Sequence, residues 1–389
     1  MIKNPWLIIV CLLSIETGIL WLSSHPRFKK YFSFLPSIFW IYFLPMLAST
    51  VGLLDAKSPV YSGISTNFLP ISLFLLLMTV DLKAILRLGK PAILMFLAGG
   101  LGVALGGVIV FSLFKDIVGR EMWSGFGALT GSWTGGSANM IAVKEALSTP
   151  DHVFFPMVVV DTIVPYVWMG MLISLVTFQP VFDRWNKSEH AILEDLQKRA
   201  VPVSSRSSHV HFLTTFLIVG LAMIVTYVVK WLVQFLPVIQ DVVSSYTWII
   251  LIVSLMGLAA SLTPLRRVEK FGSTRIGYFF LYFVLTSIGA KASLRFESST
   301  LILIALGFLW ITIHGAVLVV AARWLKAPMF LVAVASQANV GGVASAPIVA
   351  EVYQPGLSSI GLLLAIFGNV IGTYIGIMTG QICLWLSRF

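Results

Sequence analysis

Stretches of apolar residues close to the length of a membrane-spanning helix recur along the whole chain, and short polar segments separate them. One helical crossing of a bilayer needs about 20 consecutive, mostly apolar residues. The pattern predicts two sets of apolar helical segments, one on each side of the long polar stretch 179–209. The predicted segments are 6–22, 33–54, 60–80, 91–114, 121–143 and 152–178, followed by 210–236, 244–263, 276–290, 300–322, 328–350 and 357–386.

One segment of each set contains a pair of glycines within a polar centre. The two copies read TGSWTGGSANMIAVKE at 130–145 and SQANVGGVASAPIVAE at 336–351. An ungapped alignment at an offset of 206 places Gly135 and Gly136 on Gly341 and Gly342. Glycine weakens a helix, and lipid cannot hydrogen-bond the backbone groups that a break frees. Each segment is therefore predicted to be a broken transmembrane helix, a feature typical of the binding site of a secondary transporter.

The similarity between the two halves extends beyond the glycines, because Asp161 aligns with Asn369 at an offset of 208. We predict a first transmembrane repeat at 1–178, a polar cytoplasmic linker at 179–209 and a second repeat at 210–389. The expected fold is an all-α polytopic membrane protein with two repeats in inverted orientation. Inverted repeats need an odd number of crossings each. An arrangement in which every segment crosses the membrane once remains an alternative. The distribution of Lys and Arg between the two sides of the membrane fits both arrangements almost equally.

Composition excludes an ordinary soluble domain. The 389 residues are 58% hydrophobic and 11% charged, whereas about a quarter of the residues in a typical soluble domain are charged. The net charge of +10 comes from basic residues in the short loops. Such a bias records membrane orientation, so nucleic acid is not an expected partner. Cys11 and Cys383 lie in apolar segments at opposite ends of the chain, and neither a disulfide framework nor a site for a transition metal is expected.

The polar residues around the two breaks are the candidate site. A helix broken within the membrane presents N–H groups from one half, which favour a carboxylate, and carbonyl groups from the other half, which favour Na⁺. The neutral side-chain oxygens there suit a hard cation. The alternative is that the small residues only let helices pack closely. The candidate binding residues are Thr134, Ser137, Asn139, Asp161, Gln337, Asn339, Ser345 and Asn369.

Asp161 is the sharpest single candidate, because it is a carboxylate within an apolar span. A charged side chain at membrane depth is costly and marks an ion or proton path by default. Asp161 could carry a proton or neutralise a Na⁺ ion bound near Asn139 and Asn339. The alternative is a structural ion pair with Lys144 or Lys291. His314, inside another apolar segment, is either a buried histidine with satisfied hydrogen bonds or a proton carrier.

The segment TGGSAN at 134–139 resembles the broken helix of the cation:proton antiporter and bile-acid:sodium symporter superfamily. Ala138 stands where those symporters have serine. Gln337 and Asn339 look like the polar pair of the second broken helix, and Asp161 resembles the ion-binding aspartate of the antiporters. GSWTGGSAN and SQANVGG are similar to the YjcL-like family of uncharacterised bacterial and plastid membrane proteins. The resemblance implies a core domain with two crossed broken helices and a panel domain, which move in an elevator-like cycle.

These features favour a secondary transporter that couples the symport of a small organic anion to Na⁺ or H⁺. A cation:proton antiporter is the alternative, since Asp161 would serve either. An enzyme is not expected, because the chain has neither GxSxG nor HExxH nor paired intramembrane aspartates. No cofactor is expected besides the coupling ion. The expected setting is a bacterial inner membrane, and a homodimer is compatible with it.

Overall fold

In the computed structural model the chain is described at residues 1–28, 32, 37–199, 212–238, 244–291 and 299–389. These ranges contain α-helices and short 3₁₀ helices, with no strand beyond an isolated bridge between Ile2 and Leu54. The α-helices are α1 (Pro5–Ser24), α2 (Ser37–Thr50), α3 (Val60–Leu77), α4 (Leu82–Leu86), α5 (Lys90–Val118), α6 (Trp123–Gly135), α7 (Ser137–Ala146), α8 (Asp151–Ser174), α9 (Gln179–Asn186), α10 (His190–Arg199), α11 (Phe212–Val233), α12 (Ser245–Ser261), α13 (Ser273–Lys291), α14 (Ser299–Leu325), α15 (Met329–Val340), α16 (Gly342–Tyr353) and α17 (Ser358–Ser387). The 3₁₀ helices are Arg120–Met122, Leu175–Phe178 and Pro264–Phe271.

Several of these helices are long and apolar enough to cross a membrane, which confirms the predicted all-α polytopic membrane fold. Seven spans in the described ranges meet this condition: Pro5–Ser24, Val60–Leu77, Lys90–Val118, Asp151–Asn186, Thr215–Val233, Thr300–Leu325 and Ser358–Ser387. An eighth results if the pair Ser245–Ser261 and Pro264–Phe271, bent by 93°, counts as one span. The predicted segments 121–143 and 328–350 give no long span, because each is divided at its glycines.

The chain forms two compact units, and neither of them is one half of the sequence. The first unit comprises 1–79, 150–158 and 208–298, and the second comprises 80–149, 159–207 and 299–389. The predicted repeats at 1–178 and 210–389 describe a similarity between the two halves of the sequence. A division into compact units does not test this similarity, so the repeats stay a prediction. Of the predicted linker 179–209, residues up to 199 form α9 and α10, and 200–209 lie outside the described residues.

In the first unit, small residues let the helices approach until backbone touches backbone. α13 packs on α3, where the Ser72 hydroxyl donates to the Gly277 carbonyl at 2.8 Å. At the other end of α13, Gly289 leaves room for the Tyr42 carbonyl of α2, since a Cβ there would overlap it. The Ser49 hydroxyl donates to the carbonyl of Ala290 at 2.7 Å. Serine hydroxyls and glycine contacts thus hold helices that the hydrophobic effect alone would not hold together in lipid.

In the second unit, α5 and α14 pack around a buried tryptophan. The Trp310 indole N–H donates to the Val103 carbonyl at 2.6 Å, and its ring stacks on Phe126 with centroids 5.1 Å apart. Gly106 and Gly107 form the surface beneath that ring, where any Cβ would lie within 2.6 Å of an indole atom. The glycines of α5 are therefore required by the bulk of Trp310.

We expect Gly106→Ala to destabilise the protein, because the new Cβ would lie 2.6 Å from Cδ1 of Trp310 and 3.0 Å from the backbone carbonyl oxygen of Trp310. Overpacking of this kind costs about 1–3 kcal/mol. Gly220→Ala in α11 is the matched control, since no atom lies within 4 Å of its Cβ position. Alanine there should be neutral or stabilising by up to about 1 kcal/mol. Thermal unfolding of the purified variants measures both, and equal midpoints would contradict the packing argument.

Candidate functional site

The first break lies where α6 ends and α7 begins. Gly136 connects them with φ 79° and ψ 178°, a conformation that residues with a Cβ rarely adopt. α6 is buried from Ser124 to Gly135, while Ser137, at the N-terminus of α7, is half-buried. The first N–H groups of a helix have no partner within it. The break therefore presents the N-terminus of α7, with Ser137 in its first turn, at a partly accessible point.

Asn139 connects the helices that meet at the first break. Its side-chain N–H donates to the Gly135 carbonyl at the end of α6. Its oxygen accepts from the backbone N–H of Thr373 in α17 at 2.9 Å and from the hydroxyl of the same residue. An amide oxygen has two lone pairs, so both are in use. Asn139 therefore holds α6, α7 and α17 together, and the predicted Na⁺ site near it stays a prediction.

α17 crosses the first break in direct backbone contact. A Cβ on Gly372 would lie 2.7 Å from the Gly135 Cα, and a Cβ on Gly368 would overlap the Thr134 carbonyl. The same crossing brings Asn369 to the break, with its side-chain oxygen 3.7 Å from the Cβ position of Gly136. Asn369, the predicted repeat equivalent of Asp161, thus belongs to the surroundings of the first break.

The second break lies between α15 and α16, at Gly341 and Gly342, and the latter has φ 65°. The Gln337 amide N–H donates to the Ser345 hydroxyl oxygen at 2.8 Å across the break, and to the Pro165 carbonyl of α8 at 3.5 Å. The N-terminal residues of α16 are half-buried, as Ser137 is in α7. The second break is thus closed by a side-chain bridge that also reaches α8.

Two buried amide oxygens at the second break have no hydrogen-bond partner among the described residues. They are the side-chain oxygens of Gln337 and Asn339. The Asn339 amide N–H donates to the carbonyls of Ala335 at 2.8 Å and Phe96 at 3.1 Å, which fixes the orientation of its oxygen. A buried oxygen without a partner is costly. Both are therefore suited to receive an ion, a water molecule or a substrate donor.

The free oxygen of Asn339 faces the first broken helix. This oxygen and the Thr134 methyl group each lie 3.4 Å from the Cβ position of Gly100 in α5. α15 also packs directly against α6. The Thr134 hydroxyl donates to the Thr130 carbonyl at 2.8 Å within its own helix. The two breaks thus converge at α5, with Thr134 contributing a methyl group and Asn339 a free oxygen.

Asp161 lies beside both broken helices. Its carboxylate accepts from the Ser132 hydroxyl of α6 at 2.9 Å. Pro165 has no N–H, so the Asp161 carbonyl lacks its usual partner one turn later, and the Pro165 carbonyl accepts from Gln337. Asp161 forms no ion pair with any residue that the structure describes, while Lys144 contacts Glu145 at 3.3 Å. The alternative role for Asp161, a structural ion pair with Lys144 or Lys291, is therefore not found in the described part of the chain.

His314 is a part of the site that the sequence indicated only weakly. Its Nδ1 lies 2.9 Å from the Gly99 carbonyl, and its Nε2 lies 2.9 Å from the Ser336 hydroxyl. The Trp168 indole N–H donates to the same hydroxyl oxygen at 2.8 Å. Since a carbonyl only accepts, Nδ1 carries the proton, and Nε2 can accept from Ser336. A neutral His314 thus satisfies every partner and links α5, α14, α15 and α8.

The fold and the two breaks define an integral, multi-pass membrane protein with a polar centre held by broken helices. The chain belongs to the family described as "Protein of unknown function (DUF819)", whose model matches residues 9–386. It is 25% identical over 362 residues to "Uncharacterized membrane protein YjcL" of Bacillus subtilis (strain 168), and the alignment covers 88% of each chain. The predicted similarity to the YjcL-like family is confirmed.

We expect Asn139→Ala to lower the stability markedly, because it leaves the Gly135 carbonyl without its partner and removes the acceptor of the Thr373 hydroxyl. Each such group costs about 1–3 kcal/mol. Asn67→Ala is the matched control: Asn67 is exposed, and its amide also donates to the carbonyl four residues earlier, at 2.7 Å. Thermal unfolding should show a large loss for Asn139→Ala and a small change for the control. Similar losses would mean that Asn139 does not hold the break.

Proposed function

We propose that this protein is a secondary transporter that couples the movement of a small organic anion to Na⁺ or H⁺. The observation that carries the proposal is the arrangement inside the second unit. Two broken helices, the carboxylate of Asp161 and the unpaired amide oxygens of Gln337 and Asn339 lie there together. Such unsatisfied polar groups in a membrane-spanning region are costly to stability and are typical of ion and substrate paths.

The cation is proposed to lie on the side of the second break. Asp161 supplies a negative charge, and Asn339 and Gln337 supply neutral oxygens, which is the oxygen-rich type of ligand set that a hard cation accepts. Asn139 is not proposed as a direct ligand, because its oxygen accepts two hydrogen bonds from Thr373. H⁺ on Asp161 would serve as the coupling ion equally well.

The anion is proposed to lie at the half-helix N-termini. α7 and α16 both begin within the site at half-buried residues, and their first N–H groups favour a carboxylate. Ser137 adds a hydroxyl donor at the start of α7. A cation bound near Asp161 would lower the cost of placing a carboxylate nearby, and this attraction would couple the two ligands.

The superfamily resemblance supports a mode of transport. In the cation:proton antiporter and bile-acid:sodium symporter superfamily, the broken helices belong to a core that moves as an elevator. The second unit, with both breaks, has the composition of such a core, and the first unit would be the panel. α5, the first broken helix and α8 recur in the order α14, second broken helix and α17, in agreement with the proposed repeats. The proposed location is a bacterial plasma membrane.

A cation:proton antiporter is the second candidate, because Asp161 is an acid without an ion-pair partner in the described residues. The deciding measurement is thermal unfolding of the purified protein in Na⁺, Li⁺ and K⁺ across pH, followed by a library of organic anions in the most stabilising ion. A ligand at 100 times its dissociation constant stabilises by about 2.7 kcal/mol. Stabilisation by cation and pH but by no organic anion would favour the antiporter.

We expect Asp161→Asn to abolish the stabilisation by cation or pH while the protein remains folded. The amide keeps the hydrogen bond from Ser132 and removes the charge, as in the aligned Asn369. Asp116→Asn is the matched control, since its carboxylate is 69% exposed and pairs with Arg120 at 3.0 Å on the surface. The control should keep the full ion response. An Asp161→Asn protein that responds like the wild type would exclude Asp161 as the coupling group.

We expect Asn339→Ala to weaken both the cation-induced and the anion-induced stabilisation, because the free oxygen proposed as a ligand is lost. Asn67→Ala should leave both responses unchanged, since Asn67 is an exposed residue of the first unit. Both responses are measured as shifts of the thermal midpoint against ligand concentration. If Asn339→Ala keeps both responses intact, the second break is not part of the binding site.

A further inference from the structure

The second unit contains an apolar cavity that borders the polar centre at Trp168 and Ser336. It has a volume of about 470 Å³ and lies between α8, α9, α14, α15 and α16. Its walls are almost entirely apolar and include the aromatic rings of Trp168, Phe178, Phe182 and Trp185. A hydrated anion would find few hydrogen-bond partners there, so the cavity suits a hydrocarbon group.

The cavity and the end of α14 beyond it together extend over about the thickness of one leaflet. Thr312, near the middle of the spanning helix α14, lines it, and so does Val319 two turns later. Arg323 follows one more turn along the same helix. At about 1.5 Å per residue, Thr312 and Arg323 are about 16 Å apart along the axis, which is close to half of the ~30 Å hydrocarbon core. An acyl chain in the cavity with its headgroup near Arg323 would therefore span about one leaflet.

Aromatic and basic side chains mark the membrane–water interface at one end of this cavity. The Arg323 guanidinium lies 5.5 Å from the centre of the Trp185 ring, and it donates to the Asn186 carbonyl at 3.0 Å. The neighbouring Trp324 is 83% exposed. Exposed tryptophan beside arginine at the end of a spanning helix is typical of the headgroup region.

The charge at this end is predominantly positive. Arg184 and Lys187 flank Trp185 in sequence and are exposed, and Arg323 and Lys326 come from the end of α14 and the turn after it. Of the acidic neighbours, Glu189 pairs with Lys326 at 3.6 Å.

The second acidic neighbour, Asp183, is engaged in the fold. It accepts from the Met329 backbone N–H at 2.8 Å and from the Ser188 hydroxyl at 3.1 Å. Both of these carboxylates therefore already have partners among the described residues.

We propose that this cavity binds one anionic glycerophospholipid, with an acyl chain between α8 and α14 and its phosphate at the basic cluster formed by Arg184, Lys187, Arg323 and Lys326. The apolar walls select the chain and the cluster selects the charge. This inference does not depend on the proposed transport function, because the lipid contacts proposed here involve neither Asp161 nor the side-chain oxygens of Gln337 and Asn339.

The test compares lipids added to the purified full-length protein in detergent. Dioleoylphosphatidylglycerol should raise the thermal midpoint more than dioleoylphosphatidylcholine, and glycerol 3-phosphate alone should have no effect. Val319→Trp, which fills the cavity, should remove this preference. Val320→Trp is the matched control, since Val320 is 52% exposed on the same helix and does not line the cavity; it should behave like the wild type.

A charge variant tests the headgroup contact. Removing Arg184 and Lys187 by substitution with Gln should weaken the apparent affinity for the anionic lipid about fivefold per charge, so about 25-fold together. The control is Arg267→Gln with Lys270→Gln, an exposed pair in the first unit. Equal stabilisation of the wild type by both lipids would overturn the proposal. So would an unchanged preference in Val319→Trp, or an effect of glycerol 3-phosphate alone.

Discussion

The structure depends on one constraint: backbone groups freed within a membrane-spanning region must find partners inside the protein, because lipid offers none. The first break meets this constraint with an amide side chain, and at the second break an amide bridges the two half-helices. Asn139 holds the Gly135 carbonyl at the first break, and Gln337 bridges to Ser345 across the second. Each of these amides also bonds a neighbouring span, Asn139 to α17 and Gln337 to α8. The breaks are thus fixed to the helices that surround them.

Close helix contact follows from the same constraint. A side-chain amide can reach a neighbouring backbone only if the two helices nearly touch, and this requires glycine where they cross. Gly368 and Gly372 of α17 supply that space at the first break, since a Cβ on either would meet the backbone of α6. In the sequence these glycines look like a simple packing stripe. In the structure their packing role and the polar role of Asn139 require each other.

The sequence predicted the local features well and the distant partnerships poorly. The glycine pairs predicted both breaks, and the long apolar stretches predicted the membrane spans. The role of Asn139 could not be predicted from the sequence, because its partner Thr373 lies 234 residues away in the chain. The same holds for His314, whose ring bonds Gly99, 215 residues away. Apolar segments carry little information about which helices meet, so the compact units, which mix both halves of the chain, were not foreseen.

The two breaks are related in sequence and differ in how they use their oxygens. At the first break the Asn139 oxygen is saturated by Thr373, whereas at the second the oxygens of Gln337 and Asn339 have no partner in the described chain. Asp161 contacts the first broken helix through Ser132, and its own helix contacts the second through Pro165. Asp161 is therefore connected to the first broken helix directly and to the second through its own helix. The bond from Gln337 to Pro165 thus joins the second break to α8, the helix that carries Asp161.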